Sequence, residues 1–219
     1  MTFKAPDSLA EQIAHHLAER IIRGELRPGE RIQEQKVTAA LNVSRGSVRE
    51  ALLILERRHL IVILPRRGAQ VSVLRPHNVT SLCTLMSELY VLLGLSVAKS
   101  WKDELDLAPF LQIQQRLIAS CERGDVKTFV EDSFNVMRAT YPFANNPYLE
   151  ETVENLQPSM SRFYYLALEQ RQAEMSEYLT LFGQLLEAVL ARDLTRIRTV
   201  LTRYTERSCQ SILSALAAN

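Results

Sequence analysis

Leu41-Asn42-Val43-Ser44-Arg45-Gly46-Ser47-Val48-Arg49-Glu50-Ala51-Leu52 is the stretch whose reading decides the fold. Asn42-Val43 is too short for anything but a tight turn between two helices. Ser44 is placed to cap the second, because its hydroxyl can accept a bond from a backbone amide in the first turn that no carbonyl reaches. Val48, Ala51, Leu52 and Leu55 then share one helical face, so the helix is expected to run to about Arg58. Arg45 and Arg49 lie four apart and project together from another face. A short helix, a tight turn and a capped helix with a polar first turn read as a helix-turn-helix.

The flanks extend this pattern. Upstream, a helix of residues 34–41 packs through Val37, Ala40 and Leu41, and Leu26-Arg27-Pro28-Gly29-Glu30 is a turn. Ser8-Leu9-Ala10-Glu11 is a capping box opening a first helix whose Leu9, Ile13, Leu17 and Ile21 align on one side and which ends near Gly24. Downstream, Leu60 to Leu64 and Ala69 to Val73 are β-prone runs around Pro65-Arg66-Arg67-Gly68, which reads as a hairpin. Three helices followed by a hairpin make a winged helix-turn-helix. Arg75-Pro76-His77 is the expected linker. Beyond it only helical periodicity appears, at about 78–100, 104–121, 125–142, 147–156, 158–170, 173–191 and 193–217, with Asp193 as a candidate cap for the last.

Composition narrows the class. With 219 residues, 47% hydrophobic and 23% charged, two globular domains are expected, and 7 glycines favour helices over a turn-rich sheet. Cys83, Cys121 and Cys209 have neither disulfide nor metal spacing, which suits a reducing cytoplasm. Met1 to Asp7 lacks the apolar core of a signal peptide, and no run of about 18 apolar residues exists, so no membrane partner is expected. Residues 1–76 hold 13 Lys+Arg against 8 Asp+Glu, whereas residues 77–219 hold 13 against 17. A basic head beside an acidic remainder suits a polyanion partner for the head alone.

The chemistry of Ser44-Arg45-Gly46-Ser47-Val48-Arg49 fits double-stranded DNA. The amides that open the helix can meet a phosphate, and Ser44 and Ser47 can add hydroxyl bonds. Gly46 costs the helix about 1 kcal/mol against alanine but lets the backbone approach closely. Arg45 and Arg49 are candidates for bidentate bonds to guanine in the major groove. Arg66, Arg67 and Gly68 at the hairpin tip suit the minor groove. The plainer alternatives are solvated arginines paired with Glu50 or Glu56, and an edge strand blunted by charge. Two DNA-facing features on one small domain outweigh them.

Three stretches resemble the N-terminal domain of GntR-type regulators: Gly24-Glu25-Leu26-Arg27-Pro28-Gly29-Glu30-Arg31-Ile32, then Leu41 to Leu52 as quoted, then Pro65-Arg66-Arg67-Gly68-Ala69-Gln70-Val71. The resemblance covers most of residues 9–73. It implies that Arg45 and Arg49 read an operator, that Ser44 and Ser47 hold phosphate or bases, and that Gly68 sits at the wing tip. This chain has Gly46-Ser47 where the family usually has Thr-Pro, and Gln35 in the region where the family often carries a DNA-touching arginine.

The remainder is similar to the FadR C-terminal, or FCD, effector domain, through Ser96-Val97-Ala98, Asp132-Ser133-Phe134-Asn135, Ala144-Asn145-Asn146-Pro147-Tyr148-Leu149 and Leu186 to Asp193. Many members bind a divalent metal through an Asp and three His. The aligned positions here are Glu131, Asn135, Phe182 and Tyr204, and His15, His16, His59 and His77 all lie elsewhere, so neither a metal nor another cofactor is expected. In the metal's place, Glu131, Asn135 and Arg138 on one helix face, with Arg162, Phe182 and Tyr204, are expected to line an effector pocket suited to a carboxylic acid. The alternative is a solvent-exposed or satisfied polar cluster. Phe163-Tyr164-Tyr165 is expected to be core or interface.

The expectation is therefore a mainly α protein: a winged helix-turn-helix over residues 1–76, linker included, and an all-α helical-bundle effector and dimerisation domain over residues 77–219. The resemblance implies a homodimer on an inverted-repeat operator, controlled by a small-molecule effector, with repression the commoner role in such families. Three alternatives stay open. They are a metal-dependent relative whose ligands align differently, an all-helical enzyme with a winged interaction module, and a structural dimer. No Ser/His/Asp set, Gly-rich phosphate loop or paired acidic motif calls for catalysis.

Overall fold

The computed structural model describes residues 8–170 and 173–218. Met1 to Asp7 and the outer ends of the two expected domains lie outside the described residues. The chain divides into two compact units, one of residues 1–74 with 155–162, the other of residues 75–154 with 163–219. The sequence reading placed all of 77–219 together.

In the first unit, α1 spans Leu9–Ile22, β1 Arg31–Ile32, α2 Glu34–Leu41, α3 Arg45–Arg57, β2 Ile61–Leu64 and β3 Gly68–Val71. Ser8 caps α1 by accepting from the Glu11 amide at 3.2 Å, while the Glu11 carboxylate pairs with Arg58 at 2.9 Å. Ile13, Leu17 and Ile21 of α1 pack with Val48, Leu52 and Leu55 of α3 and with Ile61 and Val71 of the hairpin. Each such side chain contributes roughly 1.5–3 kcal/mol by leaving water, so the face opposite Arg45 and Arg49 anchors the helix that carries them. Leu9, expected on the buried face, is exposed.

The hairpin is part of a three-stranded antiparallel sheet of order β1-β3-β2, with Arg31 opposite Gln70 and Leu64 opposite Gly68. The short β1 went unread in the sequence. Residues 155–162 complete the unit. Ser159 Oγ donates to the Arg58 carbonyl at 2.8 Å, and Arg162 donates to the Ser72 carbonyl at 2.9 Å.

The second unit holds α4 (Pro76–Ser100), α5 (Glu104–Arg123), α6 (Val126–Ala144), the two ends of α7 (Pro147–Gln170), α8 (Ala173–Leu190) and α9 (Leu194–Ala218). The break expected between residues 156 and 158 is absent, since α7 runs through Pro158. Asp125 caps α6, and Asp193 accepts from the Arg196 amide at 2.9 Å to cap α9. α4 packs against α9 and α6. By length and composition α4 could cross a bilayer, which a search for unbroken apolar runs passed over. Half of its apolar window is buried inside the protein.

Candidate functional site

The first turn of α3 is organised by Ser44. Its backbone is extended, its Oγ accepts from the Ser47 amide at 3.0 Å, and the two hydroxyls bond at 2.9 Å. Such a cap is worth about 1 kcal/mol, and it leaves the amides before Ser47 without an intrahelical partner. Gly46 is exposed, and a Cβ there would meet only Ser44 Oγ at 3.7 Å. Nothing inside the protein requires glycine at this position, so its lack of a side chain matters outward. Arg45 is exposed, and among the described residues its side chain has no partner.

Arg49 is held. Its Nε donates to Glu34 Oε2 of α2 at 3.0 Å while its side chain stays 69% exposed. The expected alternatives, Glu50 and Glu56, are not its partners: Glu56 accepts from the Ile63 amide at 2.8 Å and so ties β2 to α3. The Glu34 contact engages Nε alone. Both terminal nitrogens of Arg49 are left for a base edge, the geometry that bidentate guanine readout needs.

At the wing, Arg66 takes a left-handed backbone at φ 62° and Gly68 at φ 76°, which makes the tight return of the strand. Arg66 and Arg67 are exposed, with no side-chain partner among the described residues. A third cation stands beside them, since an added Cβ at Gly68 would lie 3.8 Å from Arg31 Nη2. Sequence reasoning missed Arg31 and Glu34 as parts of this surface. Arg31 sits in a strand too short to show alternation, and Glu34 acts across 15 positions.

Arg138 donates to Asn135 at 3.2 Å, but the six expected pocket residues do not form one pocket. Glu131 is 59% exposed and pairs with Lys127 at 3.6 Å. The buried carboxylate is its neighbour Asp132, which accepts from Arg116 at 3.0 Å and Asn135 at 3.1 Å. Arg138 grips Glu154 with two bonds of 2.9 and 3.2 Å, and Tyr141 donates to the same carboxylate. The Arg138 guanidinium is therefore committed and does not await an acid. Arg162 belongs to the first unit, buried, where desolvation pushes its pKa down to about 10.

Phe182 and Tyr204 line a common space, a small apolar gap with Val136 and Met137. The aligned metal positions thus offer an exposed carboxylate, an engaged amide, a ring and a phenol. They do not fit a divalent ion. Among the described residues no three His, Cys, Asp or Glu side chains converge.

Beside Tyr204 lies a larger cavity of about 250 Å³. Its inner wall is aromatic and aliphatic: Phe129, Tyr164, Tyr178, Leu181 and Tyr204. Tyr178 meets Phe129 edge-on at 5.2 Å and Tyr204 at 5.3 Å. Burial pushes the Tyr204 phenol up to about 12 and those of Tyr164 and Tyr178 well above their ordinary value. At the rim, Arg207 makes two bonds of 2.8 and 2.9 Å to Glu177, which holds that carboxyl below its ordinary value. Phe163 and Tyr164 are buried in the core, as expected, and Tyr164 also forms a wall of this cavity. The missed signal was the three-residue spacing of Tyr178 and Leu181, which puts both on one helix face.

Comparison with known proteins agrees with both units. Residues 9–71 match the profile of the bacterial regulatory proteins of the gntR family, and residues 92–207 match that of the FCD domain. The chain belongs to the gntR family and carries an FCD domain. It is a transcriptional regulator of that family. It is 27% identical over 187 residues to the HTH-type transcriptional regulator McbR of Escherichia coli K12, a match covering 85% of this chain and 84% of McbR. It is 29% identical over 177 residues to the gluconate operon transcriptional repressor of Bacillus subtilis 168, covering 79% and 70%. The solved structure of E. coli McbR/YncC superposes with a TM-score of 0.81 at 23% identity over 95% of this chain and 99% of that one, so the fold is shared.

Proposed function

We propose that this regulator is a non-enzymatic, cytoplasmic homodimer that represses its target genes. Its two winged heads, within residues 1–76, bind an inverted repeat, since two-fold symmetry in the protein calls for the same symmetry in the operator. Its helical residues 77–219 pair the protomers and hold a small effector that alters operator affinity. Operator DNA must then change effector affinity by the same factor. Arg45 and Arg49 read bases in the major groove. Ser44, Gly46 and Ser47 admit and bond a phosphate at the start of α3. Arg66, Arg67 and Gly68 enter the minor groove.

One observation carries the reading: on the Ser44-capped first turn of α3, an exposed Arg45 without a partner stands beside an Arg49 that Glu34 holds by Nε alone. Surface charges of merely solubilising value have no need of such an arrangement. The test is selection of bound fragments from a genomic DNA library by the purified protein, followed by titration of the selected operator. Each bidentate base contact is worth roughly 1–3 kcal/mol, so Arg45→Ala with Arg49→Ala is expected to weaken operator binding by at least about 30-fold while the helical content stays unchanged. Equal affinity and equal salt dependence in the double variant would sink the reading.

A further inference from the structure

α4 and α9 run antiparallel with their side chains in register. Ser87 Oγ of α4 meets Thr205 Oγ1 of α9 at 2.7 Å. Further along α4, an added Cβ at Gly94 would lie 2.8 Å from Leu201 Cδ1 and 3.2 Å from Ile197 Cγ2. Later residues of α4 thus face earlier residues of α9. Cys83 stands one turn before Ser87, and Cys209 one turn after Thr205, so the next rung of this ladder is a pair of thiols. The two are in contact, since the Cys83 thiol has Cys209 as a hydrogen-bond partner. Both are free cysteines. Far apart in sequence, they are brought together only by the fold.

The spacing of the helices suits a covalent link. A hydroxyl pair and a disulfide both join two Cβ atoms through two heteroatoms. The shorter sulfur–sulfur bond, about 2.05 Å, is offset by the longer carbon–sulfur bonds on either side. A backbone separation that lets Ser87 and Thr205 touch therefore lets a disulfide close one turn away. The two sulfurs differ in access. Cys83 is 5% exposed, and burial beside Cys209 pushes its thiol up, which keeps it protonated. Cys209 is half-buried and so the more exposed of the two. Cys121 is half-buried as well, but its Sγ faces Ser176 Oγ at 3.7 Å instead of another sulfur.

We propose that Cys83 and Cys209 form a modification site for hydroperoxides, which oxidise the pair to an intrachain disulfide that fastens α4 to α9. The Cys209 thiolate attacks one oxygen of hydrogen peroxide. The O–O bond breaks, the departing hydroxide takes up a proton as water, and Cys209 becomes a sulfenic acid. The Cys83 sulfur then attacks the Cys209 sulfur. The S–S bond forms, the S–O bond breaks, and the hydroxide leaves with the Cys83 proton as a second water. Two thiols are oxidised and one peroxide is reduced. The bond fixes the turn of α9 that supplies Tyr204 and Ser208 to the cavity.

The test exposes the full-length protein to hydrogen peroxide and follows free thiols after denaturation, intact mass and a non-reducing peptide map. The parent is expected to fall from three free thiols to one, to lose two hydrogens in mass and to yield a Cys83–Cys209 linked peptide, all reversed by dithiothreitol. Cys121→Ser is expected to form the same link at the same rate. Cys209→Ser should lose the Cys83 thiol at least about tenfold more slowly than the parent, because the buried thiol is left without its attacking partner. Cys83→Ala should give a Cys209 sulfenic acid, trapped by dimedone, in place of the disulfide. The cross-linked parent should melt at least about 3 °C above the reduced protein, since the link closes a long loop in the unfolded chain. The proposal is overturned if all three thiols survive a peroxide concentration that oxidises free cysteine, or if the link runs through Cys121 or between two chains. It is equally overturned if Cys209→Ser loses the Cys83 thiol as fast as the parent, or if the cross-linked protein melts below the reduced one.

Discussion

Replacing Glu34 by alanine tests whether Arg49 is aimed by its neighbour. The pair spans 3.0 Å, with side chains 69% and 34% exposed. At that exposure it is worth about 0.2–1 kcal/mol to folding, so Glu34→Ala should cost the isolated protein about 1 kcal/mol or less. On DNA the consequence is larger and has a direction. With Nε held, the guanidinium is ordered before it meets a base. Once released, it must be ordered on binding, at about 0.5–1.5 kcal/mol for a long side chain, or about 2- to 13-fold in affinity per head. On a scrambled site the loss reverses, because a released Arg49 can turn to a phosphate. One added phosphate contact steepens the slope of log K against log salt by about 0.9. The substitution is therefore expected to weaken the selected operator, strengthen scrambled DNA and raise the salt slope on the latter. Fluorescence anisotropy on both duplexes at several salt concentrations reads all three. A ratio of operator to scrambled affinity that stays the same or rises, in a protein that melts like the parent, would refute the bracing role of Glu34.

Two further predictions concern the helical unit. Burial holds the Tyr204 phenol at about 12 and those of Tyr90, Tyr164 and Tyr178 well above the usual value. Because the folded state raises these pKa values, the stability they confer is whole below pH ~10, where the unfolded phenols titrate. It is lost as pH climbs from there through about 12, by up to about 1.4 kcal/mol per pH unit for each phenol. Tyrosinate absorbance from these residues should therefore rise together with the loss of helical circular dichroism, and ionisation near pH ~10 with the helices intact would contradict the buried cluster. The second prediction concerns Gly94, where an added Cβ would lie 2.8 Å from Leu201 Cδ1 and 3.2 Å from Ile197 Cγ2, both on buried residues of α9. Gly94→Val should destabilise by roughly 1–3 kcal/mol through overpacking, and a urea midpoint equal to the parent's would show that α4 and α9 do not meet so closely.

What could be read from the sequence, and what could not, divides by the range of the interaction. The Ser44 cap, the buried stripe of α3 and the hairpin are set by residues within a turn or two of one another, and local pattern reports them. The same pattern misjudged Pro158. A proline deletes one amide bond and crowds the preceding turn, which reads as a stop. Yet α7 continues through it, while Ser159 and Arg162 fasten that segment to carbonyls 101 and 90 positions earlier. No local signal announces such partners.

Of the expected pocket residues, Glu131, Arg138 and Arg162 are engaged elsewhere for the same reason. Periodicity placed Glu131, Asn135 and Arg138 on one face correctly in the helical sense, but it could not say that Glu154 of α7 would take up Arg138, or that Asp132 would point inward instead of Glu131. The information lay in what stands around them. Where a metal would need nitrogen donors, this chain has Phe182 and Tyr204, and Tyr164, Tyr178 and Phe129 pack beside the latter. Rings at these positions cannot hold a divalent ion and offer a charged group no counter-charge, so Phe182 and Tyr204 disfavour what nitrogen donors would favour. The departures from the family pattern thus fall in both domains, at Gly46-Ser47 in the head and at Phe182 and Tyr204 in the helical one.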